Sequence, residues 1–199
     1  SQCNHKYKFN HNNLADLESK LQRSTASGTV FVVVESVYSM DGDLAPLTKI
    51  VTLCEQYDAQ LVVDEAHATG VFGAHGEGLV CALGLQDKVF ARVHTFGKAL
   101  GCHGAAVIGS PLLKQYLLNF ARSFIYTTAL PGHSVQAIHC AYQHLSGHNF
   151  SNSSLHELIS YFRQKIAASG IPGWKDSTSS IQALVAGSNE LSRAYATKL

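Results

Sequence analysis

Apolar residues along this chain follow two rhythms that alternate. Leu14, Leu17 and Leu21 recur at helical spacing within 13–23, with asparagines ahead of them to cap the first turn. The run 29–35 (TVFVVVE) lacks polar alternation, which predicts a strand buried on both faces. A turn is expected at Met40-Asp41-Gly42-Asp43, after which Pro46 opens a helix reaching about Tyr57. Further strands are expected over 60–64, 88–93 and 105–108, and a helix over 112–121. FIYTT (124–128) reads as a short extended segment, 133–145 and 154–168 as helices, and 181–185 as one more strand before a closing helix. Strands separated by helices imply a layered α/β sheet whose ligand site lies beyond the strand ends. The polar stretch 147–153 marks a domain boundary, with 1–146 on one side and 147–199 on the other.

Composition narrows the class. Of the 199 residues, 46% are hydrophobic and 15% charged, which fits a packed α/β protein and excludes a disordered one. A net charge of +1 provides no field for steering nucleic acid or a membrane surface, so neither is expected as a partner. The five cysteines (Cys3, Cys54, Cys81, Cys102, Cys140) are scattered and odd in number, and are read as reduced thiols of a cytoplasmic protein. No apolar run is long enough to span a bilayer. The 11 histidines form no HExxH or comparably tight ligand set, so no metal is expected. GxSxG is absent, which removes the serine-hydrolase reading.

Three clusters sit at expected strand ends. Asp64-Glu65-Ala66-His67 places an acid where burial is costly unless a cation or several donors meet it. A protonated pyridine nitrogen is one such cation, and a magnesium-bound nucleotide another. The nucleotide reading requires GxxxxGK[ST]; at Gly97-Lys98 the first glycine is Arg92 and Ala99 follows the lysine, so that reading fails. His94-Thr95-Phe96-Gly97-Lys98-Ala99-Leu100-Gly101 sets a lysine among small residues beside a hydroxyl, an arrangement suited to an amine that forms imines. Lysine and acid at the strand ends of one sheet are the pair that pyridoxal 5'-phosphate (PLP) needs. The third cluster, Glu35 to Asp43, supplies hydroxyls or is simply a polar turn.

In this order the clusters resemble the α-oxoamine synthase family of fold-type I PLP enzymes. The matching stretches are ESVYSMDGDLAPL (35–47), VVDEAHATGVFGAHGEG (62–78), HTFGKALGCHGAAV (94–107) and FIYTTALP (124–131), with FNHNN (9–13) ahead of them. Gly132 departs from the pattern, since relatives carry a second proline there. The resemblance implies an aspartate aminotransferase-like large domain, a mostly parallel sheet flanked by helices, and the start of a smaller α+β C-terminal domain. It also implies that these residues are a fragment of a longer protein. The N-terminal glycine-rich stretch, the histidine stacked on the cofactor ring and most of the C-terminal domain lie elsewhere in such a protein.

Carried over by position, the resemblance makes Lys98 the Schiff-base lysine and Asp64 the partner of the pyridine nitrogen. His67 and Ser39 fall near the phenolic oxygen, and Thr95 in the cofactor pocket. Thr127 and Thr128 would face the phosphate in a neighbouring subunit, so a homodimer with shared active sites is expected. Catalysis is expected from Lys98, His67 and Asp64. The implied reaction condenses an amino acid with an acyl thioester and releases carbon dioxide and the thiol. Gly104 to Val107 and Phe120 to Arg122 look most like members that join L-alanine to a pimeloyl thioester; those using glycine and an acetyl thioester are the alternative. A non-catalytic scaffold on the same fold is the rival from another class, and Lys98, Asp64, His67 and Ser39 retained together argue against it.

Overall fold

The computed structural model describes residues 5–24, 28–147 and 150–198. Cys3, and His148 and Asn149 within the expected boundary, lie outside these residues; Cys54, Cys81, Cys102 and Cys140 are free thiols.

Four strands form one sheet in the order β1 (Val30–Glu35), β2 (Ala59–Asp64), β3 (Ala91–Thr95) and β4 (Ala105–Gly109). The first three are parallel, and β4 runs antiparallel to β3. This is the mostly parallel α/β sheet that the sequence predicts. Helix α1 (Leu14–Gln22) starts where Asn13 caps it, its side chain accepting from the Asp16 N–H at 3.0 Å. It buries Leu17 and Leu21. Helix α2 (Leu47–Gln56) follows Pro46 and buries Leu47, Ile50, Val51 and Cys54. These side chains pack with Val32, Val34, Leu61 and Val63 into the core beneath one face of the sheet. The remaining helices are α3 (Leu79–Ala82), α4 (Pro111–Phe120), α5 (Arg122–Ile125), α6 (Gly132–Ser146), α7 (Ser153–Ser169) and α8 (Asn189–Lys198). No helix among the described residues is long and apolar enough to cross a membrane.

Four expectations need correction. β1 is buried on one face only: Val32 and Val34 are covered, while Phe31 and Val33 remain 50% and 64% exposed, with no helix over that side among the described residues. β3 begins at Ala91 instead of Lys88, since Lys88 still closes a turn onto the Leu85 carbonyl at 3.0 Å. The FIYTT segment is not extended at its start. The Ala121 carbonyl accepts from the N–H groups of Phe124 and Ile125, both at 2.9 Å, and winds α5 against the β propensity of those residues. Residues 181–185 form no strand; a single bridge joins Trp174 to Leu184, flanked by Lys175 N–H to Ala183 O at 2.8 Å and Val185 N–H to Gly173 O at 2.9 Å.

Candidate active site

Each parallel strand delivers a polar residue at its C-terminal end: Glu35 from β1, Asp64 from β2 and Thr95 from β3. The register sets Glu35 beside Asp64, and Asp64 beside Val93. Thr95, two residues beyond Val93, shares its face. Three neighbouring strand ends therefore converge at one edge of the sheet.

Asp64 is half-buried, and its Oδ1 accepts from the Ala66 N–H at 2.8 Å, which turns the chain into 66–70. Among the described residues no donor meets the second oxygen. That turn carries His67 toward the other strand ends. Burial holds the His67 imidazole below its ordinary pKa, and the Lys98 charge adds to this, while Glu35 and Asp64 pull the other way. His67 is thus electrostatically coupled to Lys98, Glu35 and Asp64 together.

Lys98 lies on an exposed bend just past β3. The loop beneath it is pinned by Phe96 N–H to Gly104 O at 2.9 Å and Cys102 N–H to Phe96 O at 2.8 Å. Among the described residues its Nζ reaches only the Thr95 Oγ1, at 3.4 Å, a long bond at the limit of useful geometry. None of the salt bridges among the described residues includes Lys98. The turn after His67 abuts this loop: a Cβ on Gly70, whose φ is +79°, would lie 2.8 Å from the Ala99 Cβ. Only glycine lets the two segments approach so closely.

Ser39 is exposed in the turn that follows β1, its N–H donating to the Glu35 carboxylate at 3.0 Å. The structure therefore brings together Asp64, His67, Thr95 and Lys98, with Ser39 tied in through Glu35. Thr127 and Thr128 are exposed beyond α5, and no hydrogen bond among the described residues joins them to this cluster.

Sequence reasoning left Glu35 and Glu65 without roles. Glu35 stands in register with Asp64, a relation that pairing creates and spacing does not reveal. Glu65 is fully buried, between the half-buried Asp64 and the buried Ala66. Away from the cluster, the ligand atoms of His11, Asp41 and Asp43 lie within 4.8 Å of one another. They are already engaged: His11 Nε2 and Asn12 Nδ2 meet Asp43 at 2.8 and 2.6 Å, and Lys175 pairs with Asp41 at 3.3 Å.

The donor set suits PLP. Among the described residues Lys98 has no carboxylate partner and Asp64 has one oxygen without a donor, and His67 is held toward its neutral form.

Comparison with known proteins agrees with this fold. A family model for aminotransferase class I and II matches residues 2–199. The 8-amino-7-oxononanoate synthase of Lysinibacillus sphaericus is 39% identical over 182 residues, covering 92% of this chain and 47% of that protein. A serine palmitoyltransferase from S. paucimobilis with a bound PLP–myriocin aldimine superposes with a TM-score of 0.85 at 29% identity, covering 92% of this chain and 47% of that one. An 8-amino-7-oxononanoate synthase from Francisella tularensis superposes with a TM-score of 0.80 at 29% identity, covering 94% and 54%. The chain spans about half the length of the curated relatives it matches. It belongs to the aminotransferase class I and II family, among relatives named 8-amino-7-oxononanoate synthase.

Proposed function

We propose that the complete protein is a PLP-dependent acyltransferase that condenses L-alanine with a pimeloyl thioester. The products are 8-amino-7-oxononanoate, carbon dioxide and the free thiol. The observation that carries this reading is the Lys98 amine, without a carboxylate partner among the described residues, beside the strand end of Asp64 and the turn of His67. The names of the relatives supply the product, and the substrates are those that the family resemblance implies.

PLP, when bound, supplies an electron-withdrawing system conjugated to the substrate Cα. The chain's own residues do the rest. Lys98 Nζ binds the cofactor covalently and, as a free amine, is the base that takes the Cα proton. The Asp64 carboxylate holds a proton on the pyridine nitrogen. His67 and Ser39 orient the phenolic oxygen as hydrogen-bond partners, and Thr95 lines the pocket beside the lysine. Thr127 and Thr128 reach the phosphate in the partner subunit of a homodimer. The same reading places the protein in the cytoplasm. It assigns 1–146 to the large domain and 147–199 to the opening of a smaller one.

The likeness to serine palmitoyltransferase supports the scaffold and leaves the substrates open, because one fold serves several acyl chains. The test is kcat/KM of the complete protein for each pairing of alanine, glycine and serine with pimeloyl, acetyl and palmitoyl thioesters. A single methyl on the amino acid discriminates by about 1–3 kcal/mol, so alanine preference should be moderate and acyl-chain preference larger. A higher value for glycine with acetyl thioester would overturn the substrate assignment. Absence of any visible absorbance from bound cofactor would overturn the PLP reading itself.

A further inference from the structure

Glu65 is a fully buried carboxylate with no cationic partner among the described residues. A charge in such a position is tolerated only when donors surround it. Three do so here: Ser36 Oγ donates to Oε2 at 2.7 Å, the Leu79 N–H to Oε2 at 3.0 Å, and the Val80 N–H to Oε1 at 2.7 Å. Ser36 is itself fully buried just past β1, and its N–H donates to the Asp64 carbonyl at 2.8 Å. The main chain of Glu65 reaches the third strand, its N–H donating to Val93 O at 2.8 Å. Its carbonyl accepts from Thr69 Oγ1 at 2.8 Å, which closes the turn holding His67. One residue thus joins the ends of β1, β2 and β3 and the start of α3, and its sequence neighbours are Asp64 and Ala66.

We propose that Glu65 is a positioning residue, whose buried carboxylate fixes Asp64 and His67 relative to Lys98. This rests on the PLP reading of those residues. A glutamine at 65 offers one acceptor oxygen and an NH2 group where three donors converge, so it sets donor against donor at Val80 or Leu79. The turn 65–70 then loosens while the strands keep their pairing.

The experiment uses the complete protein with Glu65→Gln, and reads two quantities besides activity. The first is the titration of the His67 imidazole by NMR in the cofactor-free protein; the second is the dissociation constant for PLP. Since burial is the main cause of the lowered His67 pKa, with Lys98 adding and Glu35 and Asp64 opposing, a loosened turn moves it upward. PLP binding should weaken by about tenfold or more. A variant that melts at lower temperature yet keeps its His67 titration and PLP affinity would overturn the proposal, leaving Glu65 a purely structural residue. Should Glu65→Gln fail to fold, Ser36→Ala removes one donor of the three; a smaller shift in the same direction supports the role, and none overturns it. If the unaltered protein takes up no PLP while Glu65→Gln still shifts His67, the positioning role stands and the PLP reading falls.

Discussion

The Thr69 hydroxyl and the His94 imidazole lie 2.7 Å apart, Oγ1 to Nδ1, both buried. Thr69 spends its only proton on the Glu65 carbonyl, so His94 must donate from Nδ1. The neutral tautomer follows, and its Nε2 is a buried acceptor with no partner among the described residues. Burial, with Arg92 adding and Asp64 opposing, lowers the His94 pKa to about 4.

That shift predicts a pH-dependent stability. The unfolded histidine takes up its proton near 6.5, the folded one near 4. Between these values the unfolded chain binds more protons, so the contribution is complete above 6.5 and declines as pH falls toward 4. Its full size is about 3 kcal/mol. Urea unfolding of the complete protein at several pH values, with His94→Gln alongside, measures it. The variant should show the shallower slope between 6.5 and 4.

Gly42 leads to a second prediction. Its φ is +75°, and a Cβ there would overlap the Ile181 carbonyl and sit 2.8 Å from Ser177 Oγ. The buried hydroxyls of Ser177 and Ser179 both donate to the Gly42 carbonyl, at 2.7 and 2.8 Å. Gly42→Ala should cost about 2–4 kcal/mol of stability, read from thermal or denaturant unfolding. Ser179→Ala should cost less, since Ser177 keeps the carbonyl satisfied.

Lys98 is expected to carry the cofactor. Borohydride treatment of the PLP-loaded complete protein should fix the added mass on the peptide containing Lys98, as mass spectrometry reads it. Lys98→Ala should show no such label. A label on another lysine would reassign the site.

Asp64→Asn tests the carboxylate. The amide cannot stabilise a protonated pyridine nitrogen, so exchange of the substrate Cα proton with solvent should slow by about a hundredfold or more. PLP binding should fall less. Near-normal exchange would remove the role.

Shared sites predict complementation. Lys98→Ala and Thr128→Ala, each inactive alone, should regain activity when mixed, because one site of the hybrid dimer is intact. No recovery after verified subunit exchange would place Thr128 elsewhere.

The sheet and its polar strand ends were legible because their signals are local. An apolar run such as 60–64 ending on Asp64 announces both the strand and the position of its acid. The position of Lys98 just past a strand end was legible in the motif around it, whereas His67 was singled out by the family resemblance alone. The placements of Glu35 and Glu65 were not legible, since they arise from register and from a carboxylate reaching forward to residues 79 and 80. The α5 segment misled for a related reason: the residues favour extension, but the Ala121 carbonyl captures two N–H groups and winds the turn. β1 misled differently. Its composition describes a strand covered on both sides, and its second cover is not among the described elements.

That uncovered side of β1 bears on handling these 199 residues by themselves. Among the described residues β1 is an outer strand of the sheet, so it combines an open line of backbone donors and acceptors with the exposed Phe31 and Val33. Such an edge is a template on which another copy can add a strand. Produced alone, the chain should self-associate as concentration rises, and a lysine in place of Val33 should suppress this without disturbing the core packed behind Val32 and Val34.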